Sequence, residues 1–552
     1  MAARLLQLYG ESGTADICDA LQALLARHRS AAQIALVAGK LSERDALLIT
    51  YADQVREPGV APLQALAAFC QKYLADVISG IHLLPFYPWT SDDGFSVKDY
   101  FAVAPEYGTW EDIAALRPRF DLMFDAVFNH VSAQGDWFQR FLRDEPAFRN
   151  FFVTVEGNPA LATVVRPRAL PLLTEFATAR GPEKVWTTFS ADQVDVNVKN
   201  PRVLLALLEA LLFYVGRGAR FIRLDAIAYL WKEIGTTCIH LPQTHAVIQF
   251  MRAVLDEVAP HVQLITETNV PHADNISYFG DGANEAQLVY NFALPPLVLH
   301  ALLRGDASHL TRWAATLQAP SDRTTFFNFL ASHDGIGLNP ARGILPPAEI
   351  DFLVARCQAH GGFINYKHNA DGSRSPYEMN IVYFDAMNDP AASVSLETQV
   401  NRFVVAQAIM LSLAGVPGIY FHSLFGSRND RAGALHSGLN RRINRQKLAF
   451  AEMEAELANP SSLRARVFGR FRELLAFRRV HPAFAPHAPQ QVLEVDSQIF
   501  ALLRETADAT DRVLCLHNLT GAPVRLPELG GATGLAPLSP FEVRWIPLPP
   551  VQ

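Results

Sequence analysis

The chain has 552 residues, of which 50% are hydrophobic and 19% charged, with a formal net charge of −7 at pH 7. This balance is typical of a globular protein with one large domain and smaller additions, and it excludes disordered and fibrous proteins. Because the sequence has neither a basic balance nor a run of five like charges, we expect no nucleic-acid partner. The five cysteines are scattered without CxxC spacing, which indicates reduced thiols in a cytoplasmic protein rather than a disulfide framework.

Residues 1–45 precede the first predicted strand, and we expect them to form a helical extension. Their apolar residues are interrupted by Gln7, Gly10 and Glu11, so the segment lacks the continuous apolar stretch of a secretory signal. Elsewhere the sequence contains no run of about 18 apolar residues, the length that a membrane helix needs. The sequence therefore predicts no membrane partner.

Short apolar runs that end in polar residues recur through the middle of the chain, as is typical of strands buried in a parallel sheet. Eight of them occur, at 47–53, 78–89, 120–130, 219–226, 262–269, 286–292, 326–334 and 417–423. Segments with helical periodicity lie between most of them, for example 61–77, 201–218 and 400–415. Eight strand–helix repeats predict an α/β fold, a TIM-type (β/α)8 barrel formed by residues 46–130 and 201–480.

Two regions depart from a plain barrel. Residues 131–200, between the third and fourth strands, are too many for a simple connection, and we expect an inserted B-type subdomain there. Residues 481–552 contain short alternating runs split by turn residues, which predicts a separate C-terminal antiparallel β domain.

Carboxylates close three of the predicted strands. Asp225 ends the fourth strand, Glu267 the fifth and Asp334 the seventh, so all three would face one pocket at the carboxyl ends of the barrel strands. Acidic residues at strand ends also begin turns or cap helices, but three together favour a chemical role. Glycoside cleavage uses such a set, in which one carboxylate attacks the anomeric carbon and a second carboxylic acid protonates the leaving oxygen. Arg223 points to the same side of its strand as Asp225 and forms either a structural pair with it or part of the chemistry.

Four segments resemble the signature regions of the α-amylase superfamily of glycosidases and transglycosylases, in the expected order. They are "DAVFNH" (125–130), "FIRLDAIAY" (221–229), "ITET" (265–268) and "ASHD" (331–334), and the similarity runs from about residue 46 to the end of the chain. The resemblance implies that Asp225 is the nucleophile, Glu267 the general acid/base and Asp334 the transition-state stabiliser.

The finer resemblance is to the sucrose phosphorylase-like subfamily, whose members pass a glucosyl group to phosphate. The matching segments include "SDDGF" (91–95), "RPR" (166–168), "WTTFSADQVDV" (186–196) and "RRINR" (441–445). By this resemblance Asp92 and Arg441 would clamp the distal hydroxyls of one glucose, as a charge pair that closes the pocket. The other sugar-site residues that the resemblances imply are Phe95 stacked on the ring, His130, His333, Phe189, Gln193, Tyr229 and, beside the nucleophile, Arg223, which would keep Asp225 ionised.

The sequence departs from the sucrose phosphorylases around the expected acceptor site. Asn269 stands two residues after the acid/base, where the sucrose enzymes have His. The loop that contains Pro376-Tyr377-Glu378 has the added basic residues Lys367, His368 and Arg374, which would suit a carboxylate. These features resemble the longer glucosylglycerate phosphorylases, whose acceptor is an acid. The acceptor and phosphate ligands implied are Arg168, Asn269, Arg374, Tyr377 and Glu378.

These features favour a retaining glycoside phosphorylase. It would transfer a glucosyl group between a small α-glucoside, best matched by glucosylglycerate, and inorganic phosphate, giving α-glucose 1-phosphate. The alternatives are a sucrose or other small-glucoside phosphorylase and an α-glucoside hydrolase with the same three carboxylates. A binding protein without activity is disfavoured because all three acids are present.

The sequence predicts no cofactor. No nucleotide-binding glycine motif follows the first predicted strand, and no His/Cys/Asp cluster has metal-ligand spacing. Cleavage by two carboxylates requires no metal ion. We expect a monomer or a homodimer whose partners are the small glucoside and phosphate.

Overall fold

The computed structural model describes residues 1–33, 40–168, 170–369, 372–529 and 534–550. At its centre eight parallel strands close into a barrel, and each of the eight predicted runs contributes one strand, so the predicted TIM-type barrel is confirmed. The strands are almost entirely buried, as expected when helices cover a parallel sheet. In chain order the barrel strands are β1 (Leu47–Thr50), β2 (Gly80–Leu83), β3 (Asp121–Ala126), β4 (Ala219–Leu224), β5 (Gln263–Thr266), β6 (Leu288–Tyr290), β7 (Thr325–Phe329) and β8 (Val416–Tyr420).

The register of the barrel brings charged residues of neighbouring strands to the same level. Leu47 of β1 is in register with Gly80 of β2 on one side and with Gly418 of β8 on the other, which closes the barrel. Arg223 of β4 is in register with Asp125 of β3. Since side chains alternate between the two faces of a strand, this register allows Arg223 and Asp125 to meet inside the barrel.

Helices surround the barrel, and the three helical segments predicted from periodicity each contain a helix. Several helices begin with proline, whose fixed φ and missing N–H suit the first turn, as at Pro62, Pro201 and Pro242. None of the helices that the structure describes is both long and apolar enough to cross a membrane. The α-helices are Ala2–Gln33, Pro62–Tyr73, Trp110–Ala114, Asp136–Leu142, Pro201–Gly216, Pro242–Val258, His272–Ile276, Leu294–Arg304, Ser308–Ala314, Pro347–Ala359, Tyr383–Met387, Leu396–Ser412, Phe421–Leu424, Arg431–Ser437, Phe450–Ala458 and Leu463–Arg478.

Two long connections rise above the carboxyl ends of the barrel strands. Between β3 and β4, strand His130–Ser132 pairs antiparallel with Gln193–Asp195, which sets His130 opposite Asp195. The same connection contains a three-stranded sheet formed by Thr154–Val155, Gly181–Trp186 and Leu173–Thr178. After β7, strands Phe363–His368 and Arg374–Asn380 form a hairpin that pairs with the short strand Ile336–Gly337. The sequence did not predict this hairpin.

The two ends of the chain lie outside the barrel. Strands Gln490–Leu493, Ile499–Glu505, Arg512–Asn518 and Val543–Leu548 form an antiparallel sheet, so the predicted C-terminal β domain is confirmed. The N-terminal helix packs against the barrel helices that begin at Pro201 and Pro242. The Tyr9 hydroxyl of this helix donates to the carbonyl of Val198, at 2.7 Å. Strand Val55–Arg56, after β1, pairs with Leu448–Ala449.

Candidate active site

A cavity of about 70 Å³ lies at the carboxyl ends of the barrel strands. It brings together most of the residues that the sequence singled out, although they come from the segments that follow six different barrel strands. Those that line it are Asp92, Phe95, His130, Arg168, Phe189, Gln193, Asp225, Tyr229, Glu267, Asn269, His333, Asp334, Tyr377 and Arg441.

Asp225 and Glu267 are fixed by the backbone at the ends of β4 and β5. The Asp225 amide donates to the carbonyl of Ala126 at 3.2 Å. The next residue, Ala226, is in the left-handed region with φ 48°, and its amide donates to Glu267 Oε2 at 3.0 Å. This conformation costs a non-glycine residue about 1 kcal/mol, and such strain is concentrated at functional sites. The turn after β4 therefore places the two carboxylates in one site.

The sequence left open whether Arg223 forms a structural pair or belongs to the site, and the structure gives it contacts of both kinds. Its Nη1 donates to Asp225 Oδ1 at 2.8 Å and to Asp125 Oδ1 in a short bond, and its Nη2 lies 3.8 Å from Glu267 Oε1. Behind it, His82 Nε2 is 2.7 Å from Asp125 Oδ2, so the buried His82 donates to the carboxylate. One guanidinium thus joins the structural carboxylate of Asp125 inside the barrel to Asp225 and Glu267 in the cavity.

The environments of Asp225 and Glu267 govern their protonation. Burial raises the pKa of Asp225 well above its ordinary value, Arg223 opposes this shift, and the neighbouring Glu267 adds to it. The ionised form of Asp225 therefore depends on Arg223. Burial also raises the pKa of Glu267, again against Arg223, while the charge of Asp334 raises it further. A raised pKa suits a group that donates a proton to a leaving oxygen.

Asp334, five residues after β7 ends, pairs with Arg441. Arg441 Nη1 lies 2.6 Å from Asp334 Oδ1, and its other nitrogens donate to the two oxygens of Glu378 at 3.0 and 2.9 Å. Burial alone would raise the pKa of Asp334, but Arg441, His333 and Arg445 lower it below the ordinary value. Asp334 therefore remains ionised, as a group that stabilises positive charge must be.

The structure gives Asp92 a partner that the sequence did not predict. An ion pair joins Asp92 to Arg168, whose Nη2 donates to Asp92 Oδ2 at 2.9 Å. Arg441 contacts Asp334 and Glu378, so the clamp that Asp92 and Arg441 would form on a sugar stays a prediction. Asp92 and Arg441 both still line the cavity. The charge pair at the cavity wall is thus between a strand-end loop and the inserted segment.

Aromatic and amide groups complete the wall on the side of the insertion. The rings of Phe95 and His333 are stacked, with centroids 4.6 Å apart and planes at 4°. Phe189 packs edge-on against Tyr229 at 5.6 Å. Gln193 Nε2 donates to the carbonyl of Phe95 at 3.1 Å. These contacts fix the positions of side chains that were predicted for the sugar site.

The predicted acceptor residues divide into two groups. Asn269, Tyr377 and Arg168 line the cavity. Glu378 is buried with both oxygens bonded to Arg441, so it positions Arg441 and is not directed at the cavity. Arg374 is exposed near the tip of the hairpin and is not among the described residues that line the cavity, so its role as an acceptor ligand stays a prediction.

Lys367, a second cation of the predicted acceptor loop, is also not among the described residues that line the cavity. It is on the hairpin strand, where burial lowers its pKa and Arg342 lowers it further. The side chain of the third cation, His368, lies outside the described residues. Among the described residues, the lysines and arginines that line the cavity are Arg168 and Arg441, which come from other segments.

Three buried residues that support the site were not singled out from the sequence, namely Asp125, His82 and Lys232. The first two had a visible signal, because each is an ionisable side chain inside an apolar run that reads as a buried strand. Lys232 gave no such signal in the sequence, because its partner Asn129 is 103 residues away. Among the residues that the structure describes, no group of three or more His, Cys, Asp or Glu is arranged to hold a metal ion.

Comparison with known proteins agrees with this geometry. Residues 71–335 match the family model described as the alpha amylase catalytic domain. The chain is 52% identical to the glucosylglycerate phosphorylase of Allomeiothermus silvanus, over 92% of each chain. It is 51% identical to that of Spirochaeta thermophila, over 93% of this chain and 88% of the relative. The crystal structure of sucrose 6F-phosphate phosphorylase from Thermoanaerobacter thermosaccharolyticum superposes with a TM-score of 0.76 at 25% identity, covering 88% of this chain and 96% of that one.

Proposed function

We propose that this chain, which belongs to the α-amylase family and within it to the sucrose phosphorylase-like phosphorylases, is a glucosylglycerate phosphorylase. It would convert glucosylglycerate and phosphate to α-glucose 1-phosphate and glycerate, and catalyse the reverse reaction. The observation that carries the proposal is one small cavity that brings Asp225, Glu267 and Asp334 together with two arginines. The carboxylates match glycosyl transfer, and the arginines match a reaction whose acceptors are anions. The names of the two relatives support glycerate as the second acceptor.

The first half of the reaction uses Asp225 and Glu267. Asp225 attacks the anomeric carbon while Glu267 gives its proton to the leaving glycerate oxygen, which produces a covalent glucosyl–Asp225 ester. Asp334, held ionised by Arg441, stabilises the positive charge that develops on the ring. Arg223 keeps Asp225 available as a carboxylate.

The second half reverses the roles. Glu267, now ionised, accepts a proton from phosphate as a phosphate oxygen attacks the same carbon and Asp225 leaves, so the anomeric configuration is retained after two inversions. Arg168 is the cation best placed to bind the acceptor. It lines the cavity, its side chain is 31% exposed, and only its Nη2 donates to Asp92, so further donors can meet a phosphate or a carboxylate.

An acceptor panel tests the proposal. The purified protein is incubated with α-glucose 1-phosphate and D-glycerate, glycerol, fructose or no acceptor, and phosphate release is followed. We expect release to be fastest with D-glycerate and the glucoside formed to keep the α configuration by NMR. Fructose as the best acceptor would identify a sucrose phosphorylase, and equally fast release without any acceptor would identify a hydrolase.

A further inference from the structure

We propose that Lys232 is a positioning residue for the sugar site, which acts through Asn129 to hold His130 in the tautomer that carries its proton on Nε2. Lys232 is seven residues beyond the nucleophile and is buried with Asn129, Asp195 and His130. The proposal rests on the proposed function only where it takes His130 to be a sugar ligand.

The lysine determines which way the Asn129 amide faces. Lys232 Nζ is 2.6 Å from Asn129 Oδ1 and 2.6 Å from Asp195 Oδ2. An ammonium group only donates hydrogen bonds, so the atom of Asn129 that faces it must be the carbonyl oxygen. The amide nitrogen then faces the other way, where it donates to Asp195 Oδ2 at 3.1 Å. Asp195 agrees with this orientation because an ionised carboxylate only accepts.

The amide nitrogen of Asn129 in turn determines where the His130 proton lies. Asn129 Nδ2 is 3.2 Å from His130 Nδ1, which must be the unprotonated nitrogen because the amide donates. Burial lowers the pKa of His130, although Asp195 opposes the shift, so the ring is neutral and its single proton is on Nε2. The carbonyl of Phe95 agrees independently, since it accepts from Nε2 at 2.9 Å.

This arrangement matters for the sugar site because the Nε2 proton ties the His130 ring to the carbonyl of Phe95. His130 lines the cavity, and the ring of Phe189 packs beside it at 5.2 Å. Gln193 Nε2 donates to the same carbonyl and lies 3.2 Å from His130 Nε2, so these three residues meet at one carbonyl oxygen. With the proton on Nδ1 instead, the Nε2 lone pair would face that oxygen, and the bond that holds the backbone of Phe95 to His130 would be lost. A fixed tautomer therefore keeps this wall of the cavity in one geometry, which lowers the cost of ordering it when substrate binds.

The test reads the tautomer directly and the kinetics separately. Protein labelled with ¹⁵N-histidine is examined by two-bond ¹H–¹⁵N correlation spectra, and the His130 signals are identified by their loss in His130→Gln. We expect the Nε2–H pattern in the unchanged protein and a mixture of both tautomers, or the Nδ1–H pattern, in Lys232→Met. The KM for α-glucose 1-phosphate should rise on the order of tenfold in Lys232→Met, with a smaller change in kcat.

Two further variants keep the outcome decisive. Lys199→Met removes an exposed lysine that pairs with Glu233, and it should change neither the spectrum nor the KM. If Lys232→Met fails to fold, Asn129→Asp replaces the amide donor by a carboxylate oxygen and should move the proton to Nδ1. An unchanged tautomer in the folded variant, or an unchanged KM despite a changed tautomer, overturns the proposal. The spectra need no substrate, so they read the network even if the protein transfers glucose to another acceptor.

Discussion

The cavity has two walls of different origin. The barrel wall, Asp225, Glu267, His333 and Asp334, follows strands β4, β5 and β7. The loop wall, Arg168, Phe189, Tyr377 and Arg441, comes from the connections that follow β3, β7 and β8. Asp225 of the barrel wall is bonded to Arg223 in a buried layer beneath it, whereas Arg168 of the loop wall remains 31% exposed. Asp334 and Arg441 join the two walls by an ion pair. We therefore expect the transfer chemistry to depend on the barrel wall and the choice of acceptor on the connections.

The largest expected effect comes from the barrel wall itself. Asp225→Asn removes the nucleophile while keeping the side-chain shape, and we expect turnover to fall on the order of 10⁴-fold or more. Initial rates of phosphorolysis measure the loss, and thermal unfolding checks that the fold is retained. Mass spectrometry of the native enzyme quenched during turnover should find the glucosyl group on Asp225. Its attachment to any other residue would contradict the assignment.

The next largest effect is expected at Arg223, in the buried layer beneath the barrel wall. Arg223→Lys keeps a positive charge but cannot contact Asp125, Asp225 and Glu267 together, and we expect kcat/KM to fall about 10²-fold. Because Arg223 opposes the upward pKa shift of Asp225, weakening its contact raises that pKa further. Asp225 is then protonated up to a higher pH, so the acid limb of kcat/KM should move to higher pH.

Arg478→Lys is the matched control for Arg223→Lys. Arg478 is equally buried, but it donates to backbone carbonyls of Asp45 and Phe484, away from the cavity. This variant should lower the unfolding temperature without moving the acid limb. If the acid limb of kcat/KM is unchanged in Arg223→Lys, Arg223 does not control the ionisation of Asp225.

A smaller effect is expected at the loop wall. Arg168→Ala should lower the ratio of phosphorolysis to hydrolysis by about tenfold, because phosphate loses a cationic partner and water does not. Both reactions consume the same glucosyl–enzyme. The ratio of their rates is therefore unaffected if the loss of the contact with Asp92 changes how fast that intermediate forms. Arg166→Ala, two residues away and not among the described residues of the cavity, is the control. An unchanged ratio in Arg168→Ala would remove Arg168 from the acceptor site.

The smallest effect is expected at Arg374. This residue is exposed on the hairpin and is not among the described residues that line the cavity, so a screened charge there contributes little to binding. In Arg374→Ala we expect the ratio of kcat/KM for D-glycerate to that for glycerol to stay within about twofold of the native value. A selective loss of glycerate would show that the hairpin reaches the acceptor during turnover.

The local sequence pattern was sufficient to predict the barrel and to single out the three carboxylates at its strand ends. A strand that is buried on both faces must be apolar along its length, so each run could be recognised without its neighbours. Asp225, Glu267 and Asp334 stood out because they close such runs, and strand ends of a parallel barrel face one side. The hairpin after β7 was missed because its residues are mixed polar and aromatic and have no clear period.

The pairing of charged side chains was decided only by the tertiary structure. Asp92 bonds to Arg168, 76 residues away, and Arg441 bonds to Glu378, 63 residues away. In a plausible fold each arginine could reach several carboxylates. The one that it contacts depends on the positions of the connections between strands, which the periodicity of the sequence does not specify. The contacts of the buried residues His82, Asp125 and Lys232 were decided in the same way, because a buried charge needs a partner but the sequence does not state which one. The sequence by itself therefore determined which carboxylates meet at the strand ends, and the fold decided which charged groups pair with them and how their pKa values shift.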